Sequence, residues 1–318
     1  MDRFLDVGAR SVIVTVCLNP AIDVTYRVAE LSVGRSHRVL EVHARAGGKG
    51  VNVARVLHQL DEPVTVAGLY GGTTGAEITA DLLRSGLRAA LTPISGQSRR
   101  TVTVVDARDA TVFNEPGPPV SDVEWAAFTT AFGELVHAGR VVVVSGSVPP
   151  GCPDTAYAEL VTIARANGVA VILDAEGEQL RRALDARPDV AKPNAAEVTS
   201  LFGRPVATRQ DARDAAQLLC DGGAGAAIVS LGAEGFVAVT SSAVFDVRLP
   251  RRIRGNQTGA GDALAGAIAR GLARHDAWPK LLADAAAVSA AAVAVPVAGS
   301  VAIDLMAELR PGVVVENV

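Results

Sequence analysis

The stretch Thr258-Gly259-Ala260-Gly261-Asp262 is followed at helical spacing by apolar side chains, namely Ala263, Leu264, Ala267, Ile268 and Leu272. This pattern predicts a turn of small residues that runs directly into a helix, where free backbone N–H groups meet the positive end of the helix dipole. Such a helix start attracts phosphate or a developing oxyanion. A carboxylate there favours a further role, in which Asp262 accepts a proton from a hydroxyl while the amides hold a transferred phosphoryl group. The alternative is that Asp262 only stabilises the first helical turn.

Strand and helix patterns alternate on the N-terminal side of this stretch. Apolar runs predict buried strands at 11–18 and 64–69, and a helix is predicted at 76–83. Further along, predicted helices alternate with predicted strands, at 122–137, 141–144, 154–167, 169–173, 209–220 and 226–231, before a hairpin at 235–249. This alternation predicts βαβ units around a parallel sheet, so we expect a single α/β domain over residues 1–318.

Two segments interrupt the alternation, at about residues 22–46 and 97–115. Their short strands mix charged and apolar side chains and are too exposed to be stable alone. We therefore expect them to form a small β lid that docks on the main body or on another subunit.

The composition excludes several classes of protein. Hydrophobic residues make up 49% of the chain and charged residues 20%, which permits a sizeable core. The net charge of −4 and the scattered basic pairs argue against a nucleic-acid partner. The spacing of Cys17, Cys152 and Cys220 indicates neither a zinc site nor a disulfide framework. Residues 1–10 lack the apolar core of a signal peptide, and the apolar stretch 285–298 is shorter than the ~20 residues that span a bilayer, so we expect a cytoplasmic protein with no membrane association.

Neither a P-loop nor a complete dinucleotide fingerprint is present in the sequence. Six other motifs follow one another instead: Asn19-Pro20-Ala21-x-Asp23, Gly47-Gly48-Lys49-Gly50-x-Asn52, Ser145-Gly146-Ser147-x-Pro149-x-Gly151, Lys192-Pro193-Asn194-x-x-Glu197, Ser230-Leu231-Gly232-Ala233-Glu234-Gly235 and Gly259-Ala260-Gly261-Asp262. Together they resemble the ribokinase-like (PfkB) carbohydrate kinases over roughly residues 11–310. Three segments are most similar to the branch that contains 1-phosphofructokinase, tagatose-6-phosphate kinase and the minor 6-phosphofructokinase: Leu18-Asn19-Pro20-Ala21, Arg100-Thr101-x-Thr103-Val104 and Ser145-Gly146-Ser147-x-Pro149-x-Gly151.

The resemblance implies a ribokinase-like three-layer fold, with a mainly parallel central sheet and a small β lid, and a kinase that uses ATP and Mg²⁺. It implies that Asp262 is the general base and that the amides of Gly259, Ala260 and Gly261 form the anion hole for the γ-phosphoryl group. It further implies a nucleotide site that contains Lys192, Asn194, Glu197, Ser230, Gly232 and Gly235, with Glu197 acting on Mg²⁺ through water.

For the sugar phosphate, the resemblance implies a binding site of Asp23, Gly48, Asn52 and Ser147, with Arg35, Lys49 and Arg100 on the phosphate. The planar fork of arginine suits that task. Alternatives stay open, because Arg35 and Lys49 could be ordinary surface charges, His37 or Arg38 could replace either, and Arg99 could replace Arg100. Asp174, at the end of a predicted buried strand, is either catalytic or an anchor for a loop. Gln257 departs from the small or apolar residue usual in the family, which affects the local geometry and any monovalent cation site.

The preferred substrate is fructose 1-phosphate, which would give fructose 1,6-bisphosphate. Tagatose 6-phosphate, fructose 6-phosphate and other PfkB-type sugar substrates are the alternatives within enzymes. A sugar-phosphate-binding regulator on a kinase scaffold is the alternative outside them. A homodimer formed through the lid is also expected from the resemblance.

Overall fold

The computed structural model describes residues 13–318, so the predictions for residues 1–10 and for the first two residues of strand 11–18 lie outside the described residues. The strands are β1 (Ile13–Cys17), β2 (Ala21–Arg27), β3 (Glu41–Gly47), β4 (Val64–Tyr70), β5 (Arg88–Pro93), β6 (Arg99–Val105), β7 (Ala110–Asn114), β8 (Val141–Ser145), β9 (Ala170–Asp174), β10 (Val190–Ala191), β11 (Ala226–Ser230), β12 (Phe236–Val239), β13 (Val244–Arg248) and β14 (Val314–Asn317). The helices are α1 (Lys49–Gln59), α2 (Gly72–Arg84), α3 (Asp122–Val136), α4 (Ala156–Ala166), α5 (Gly177–Asp185), α6 (Ala195–Phe202), α7 (Arg209–Asp221), α8 (Ala260–Ala273), α9 (Trp278–Val293) and α10 (Ile303–Leu309).

The large sheet runs β14-β13-β12-β11-β10-β9-β8-β1-β4-β5. The strands from β11 to β5 in this order pair in parallel, while β12, β13 and β14 add an antiparallel edge. All five residues of β1 and of β8 are buried, because helices cover both faces of a parallel sheet and each strand is therefore a continuous apolar run. The predicted α/β class with a mainly parallel sheet is confirmed.

Helices pack on both faces of this sheet and create two cores. Successive residues of β1 point to opposite faces, so Ile13 joins one core and Val14 the other. The first core holds the apolar faces of α1, α8 and α9. The second holds those of α3, α4 and α7. The result is the three-layer arrangement predicted for the chain.

The second sheet, called the lid sheet below, has the order β3-β2-β6-β7. Its strands come from the two segments that interrupt the alternation of the sequence. Neighbouring strands pair antiparallel except for β2 and β6, which are parallel. The ladder places Asp23 opposite Arg45 and Thr101, so these three side chains share one face of the lid sheet.

Most predicted elements lie within two residues of the observed ones, but several differ. Helix α2 begins at Gly72 rather than at residue 76, because its glycine- and threonine-rich first turn reads as a loop in the sequence. The apolar stretch 285–298 belongs to helix α9, which begins at Trp278 and ends at Val293, before Pro296. The sequence patterns do not predict the short elements β5, β10, β14, α5 and α10. Within residues 13–318, no helix is long and apolar enough to cross a membrane.

Candidate active site

The start of α8 presents free backbone amides next to a buried carboxylate. Gly259 caps the helix with a φ of 86°, in the left-handed region that favours glycine, and a Cβ there would lie 2.7 Å from the Cβ of Ala298. Within residues 13–318, the N–H groups of Gly259, Gly261 and Asp262 have no acceptor, whereas the N–H of Ala260 donates to the carbonyl of Gln257 at 3.2 Å. Of the three amides expected to form the anion hole, those of Gly259 and Gly261 are free, whereas that of Ala260 is engaged, and the amide of Asp262 is free in addition.

Asp262 is buried and only 6% exposed. Its Oδ2 accepts a hydrogen bond from Asn52 Nδ2 at 2.8 Å, which joins α8 to α1. Burial, together with the negative charge of Asp174, raises the pKa of Asp262 from 3.8 to about 6, against the opposing effect of Asn52 and the nearby lysines. A carboxylate with a pKa near neutrality is suited to accept a proton and release it again.

Asp174 is the centre of a buried polar cluster at the end of β9. Its Oδ1 lies 3.1 Å from Lys192 Nζ, and its Oδ2 accepts a hydrogen bond from Ser145 Oγ at 3.1 Å. Both Asp174 and Lys192 are almost fully buried. A buried carboxylate is stable only when it is paired and hydrogen-bonded, and this one is both. Asp174 therefore anchors Lys192 near the start of α8, where Lys192 Nζ lies 3.5 Å from the place that a Cβ on Gly261 would occupy.

Lys49 lies among carboxylates rather than at the lid surface. Its Nζ is 3.6 Å from Glu197 Oε1 and 4.0 Å from Asp174 Oδ1. Burial by itself lowers the pKa of Lys49, but the surrounding carboxylates, led by Asp174, outweigh it and raise that pKa. The lysine of the glycine motif is thus charged and links α1 to the predicted nucleotide site.

Asn194 and Glu197 form a capping box at the start of α6. Asn194 Oδ1 accepts the N–H of Glu197 at 2.9 Å, and Glu197 Oε2 accepts the N–H of Asn194 at 2.8 Å. This leaves Glu197 Oε1 facing Lys49. The spacing of the Asn-x-x-Glu motif therefore fixes the helix start as well as placing one carboxylate oxygen toward the site.

The glycine motif opens space for Asp23. A Cβ on Gly47 would lie 1.8 Å from Asp23 Oδ2, and Gly48 adopts a φ of 107°. Burial raises the pKa of Asp23, while the guanidinium groups of Arg99 and Arg45 act in the opposite direction. Asp23 is thus held against the first turn of α1 with two arginines beside it.

The two consecutive arginines of β6 point to opposite faces of the lid sheet. Arg99 donates to the carbonyl of Asn19 at 3.0 Å and lies beside Asp23. Arg100 is 47% exposed and lies 3.5 Å from Glu77 on α2. The structure therefore brings Arg99, and not the preferred Arg100, to Asp23.

Two further predicted residues lie on loops. Arg35, between β2 and β3, is exposed and has no ion-pair or hydrogen-bond partner within the described residues. Ser147, after β8, accepts a hydrogen bond from Asn19 Nδ2 at 3.1 Å. The asparagine of the first motif thus connects the strand β1 to the Ser-Gly-Ser loop.

A cavity of about 470 Å³ opens between α6, α7 and the 3₁₀ turn Gly232–Glu234. Its wall includes the predicted nucleotide-site residues Asn194, Ser230 and Gly232. Gly235 lies directly behind the turn, where a Cβ would meet the carbonyl of Val247 at 2.1 Å. The cavity lies beyond the ends of β10 and β11, the edge at which open α/β sheets place their ligands.

The sequence motifs left the role of Asp174 undecided, as well as the choice between Arg99 and Arg100. They did not assign any role to Arg45. The signal for Asp174 is an acidic residue at the end of a buried strand. No pattern in the sequence indicates that Arg45 belongs to the site, because its proximity to Asp23 depends on the register between β2 and β3.

Comparison with known proteins defines the class. A family model described as pfkB family carbohydrate kinase matches residues 12–304. The chain belongs to this family and is a sugar kinase of the PfkB type.

Solved structures of several relatives resemble it. Phosphofructokinase-2 from Escherichia coli, in complex with potassium, is 26% identical with a TM-score of 0.89, covering 94% of this chain and 98% of its own. A Thermotoga maritima protein named a possible 1-phosphofructokinase is 25% identical with a TM-score of 0.87, covering 96% and 99%. Arabidopsis thaliana ribokinase, complexed with ribose and ATP, shares the fold at 21% identity and a TM-score of 0.76, covering 95% and 99%.

Proposed function

We propose that this sugar kinase transfers the γ-phosphoryl group of ATP to a ketohexose phosphate, and that its substrate is fructose 1-phosphate, which it converts to fructose 1,6-bisphosphate. The observation that carries the proposal is the buried carboxylate of Asp262 beside the unpaired amides at the start of α8. This arrangement offers a proton acceptor and an anion site at the same helix end, as phosphoryl transfer to an alcohol requires.

The reaction follows from these positions. Asp262 takes the proton of the sugar hydroxyl as its oxygen attacks the γ-phosphorus, and the bond between that phosphorus and the ADP oxygen breaks. The amides of Gly259, Gly261 and Asp262 stabilise the negative charge on the transferred group. Lys192, held by Asp174 beside the same helix start, adds a positive charge. The proton on Asp262 then leaves to solvent as the products separate.

The residues present fit a divalent cation bound with few protein ligands. Within residues 13–318, no three His, Cys, Asp or Glu side chains are grouped as a metal cage would require. Glu197 Oε1 and Asp174 Oδ1 already share one cationic group, the Lys49 ammonium. Mg²⁺ characteristically uses one or two carboxylates, water and the phosphates of its substrate. We therefore propose that Glu197 holds, through water, a Mg²⁺ ion that would neutralise phosphate charge, while Asp174 keeps its pairing with Lys192.

The sugar phosphate is proposed to lie between α1 and the lid sheet. Asp23, Gly48 and Asn52 are proposed to bind sugar hydroxyls, together with Ser147, which accepts a hydrogen bond from Asn19. Arg99 and Arg45 supply the positive charge beside Asp23. Neither arginine has a carboxylate within 4.0 Å in the described part of the chain, so both charges can be neutralised by a substrate phosphate.

We also propose a homodimer through the lid sheet. Tyr26, Val42, Val102 and Phe113 share one face of that sheet by register. Tyr26 and Val102 pack partly against the first core, whereas Val42 and Phe113 are each 57% exposed. An exposed apolar sheet face of this kind is typical of a protein interface. Sedimentation of wild type against the Phe113→Lys variant tests this point, since a monomeric wild type contradicts it.

A coupled assay of ADP formation tests the proposed reaction. Wild type is supplied with MgATP and, in turn, fructose 1-phosphate, fructose 6-phosphate, tagatose 6-phosphate and unphosphorylated fructose. We expect the highest kcat/KM with fructose 1-phosphate. A higher value with another sugar overturns the substrate assignment but keeps the kinase, whereas tight sugar-phosphate binding without any ADP formation identifies a regulator instead of an enzyme.

A further inference from the structure

Three arginines surround one buried carboxylate at the far side of the 470 Å³ cavity. Asp246, in the middle of β13, is only 1% exposed. Its Oδ1 contacts Arg209 Nη1, and its Oδ2 lies 2.9 Å from Arg248 Nη2 and 3.7 Å from Arg213 Nη2. A carboxylate with this degree of burial needs such partners. Glu316 Oε2 lies 3.6 Å from Arg248 Nη1, so three guanidinium groups face two carboxylates and one positive charge remains.

Only one of the three arginines lines the cavity. Arg209 forms part of the cavity wall, together with Thr208 and Glu234, whereas Arg213 and Arg248 do not. Arg209 lies at the first position of α7, where Thr208 caps the helix and Asp211 accepts the N–H of Thr208 at 2.8 Å. The capping box therefore fixes the backbone from which the Arg209 side chain extends.

The guanidinium of Arg209 joins α7 both to β13 and to the 3₁₀ turn Gly232–Glu234. While Nη1 contacts Asp246, Nη2 donates to the carbonyl of Glu234. Glu234 ends the 3₁₀ turn Gly232–Glu234, whose own backbone bonds are short-range, such as Gly235 N–H to Gly232 carbonyl at 3.2 Å. The planar, forked side chain of arginine is suited to making both contacts at once.

We propose that Arg209, held by Asp246, is a positioning residue of the nucleotide groove: it holds the Gly232–Glu234 turn against α7 and so determines the affinity for the nucleoside triphosphate. This inference rests on the proposed function, because it takes the cavity to be the ATP site. Asp246 acts as the buried counterion that orients the guanidinium. Arg213 and Arg248 neutralise the same carboxylate without touching the groove.

The test compares Arg209→Ala with the matched variant Arg213→Ala, which also removes one arginine from Asp246. Binding of MgATP is measured by calorimetry, and the KM for ATP, the KM for sugar phosphate and kcat are measured in the coupled assay. We expect Arg209→Ala to raise the Kd and KM for ATP by about 10- to 100-fold, the loss typical of hydrogen bonds to a charged group. The KM for sugar phosphate should stay within about twofold, as should every constant of Arg213→Ala.

Two further variants separate positioning from general damage. In Arg209→Ala/Asp246→Asn the buried charge is removed with its partner, so this variant should fold like wild type and still lose ATP affinity. Arg209→Lys, which can reach only one of the two acceptors, should recover only part of the affinity.

The inference is overturned if Arg209→Ala and Arg213→Ala weaken ATP binding equally, or if the double variant binds ATP as wild type does. A wild type that binds no ATP at all overturns the proposed function itself. The two failures are thereby distinguishable.

Discussion

Replacing Asp262 by asparagine should change activity and stability in opposite directions. The substitution keeps the shape of the side chain, and the amide oxygen can still accept the hydrogen bond that Asn52 Nδ2 donates at 2.8 Å. What it removes is the proton acceptor. Loss of a general base typically lowers turnover by about 10²–10⁴-fold, which corresponds to about 3–5 kcal/mol in the activation free energy.

The gain in stability follows from the pKa of Asp262. Because the folded state raises that pKa from 3.8 to about 6, the ionised carboxylate is disfavoured in the folded protein. With about 1.36 kcal/mol for each pKa unit, this lowers the free energy of unfolding by about 3 kcal/mol at pH values above the folded pKa. This loss of stability disappears as the pH falls from about 6 toward 3.8. In that range Asp262 is protonated in the folded protein while it is still ionised in the unfolded protein, which favours the folded state.

Urea denaturation and the coupled assay together measure both effects. Asp262→Asn should unfold with a free energy about 3 kcal/mol larger than that of wild type at about pH 7.5, and roughly half that gain should remain at about pH 5. The exposed aspartate of α10 provides a control, and Asp304→Asn should change neither turnover nor this pH dependence. Turnover of Asp262→Asn within tenfold of wild type would refute the role as base. A stability equal to wild type at both pH values would refute the electrostatic account.

Three further expectations concern the same site. The acidic limb of the wild-type profile of kcat/KM against pH should have its midpoint near the Asp262 pKa of about 6, with activity lost below it, and a limb close to 4 contradicts the burial argument. Arg99→Ala should raise the KM for sugar phosphate by about tenfold or more, with little change in the KM for ATP. Arg100→Ala should leave both constants within about twofold. A larger rise in the KM for sugar phosphate in Arg100→Ala than in Arg99→Ala would assign the substrate phosphate to Arg100. Gly47→Ala should displace Asp23, because the new Cβ would lie 1.8 Å from its Oδ2, and calorimetry should show at least tenfold weaker sugar-phosphate binding; unchanged binding argues against Asp23 as a ligand.

The parts of the fold and of the site that could be predicted are those whose pattern lies within one continuous segment of the sequence. The small-residue start of α8 and Asp262 could be located because turn, helix signal and carboxylate follow directly on one another. The buried strands β1 and β8 could be predicted because apolar runs of five residues report burial on both faces.

Features that depend on pairing between distant segments could not be predicted in the same way. Whether Arg99 or Arg100 reaches Asp23 depends on the register of β6 against β2, and a change of one residue reverses the face. The contacts that Asp174 makes with Lys49 and Lys192 join β9 to α1 and to the end of β10. The strand β14 is only four residues long and lies at an edge of the sheet. Its extended conformation depends on its pairing with β13 and could not be predicted from its own residues.

The hydrogen bond between Asn52 and Asp262 joins residues that are 210 positions apart in the chain. A ribosome therefore completes the glycine motif and the lid strands long before it adds Asp262, the proposed proton acceptor. Under the proposed function, a chain truncated before residue 260 lacks both the proposed base and the amides at the start of α8, and it should transfer no phosphoryl group.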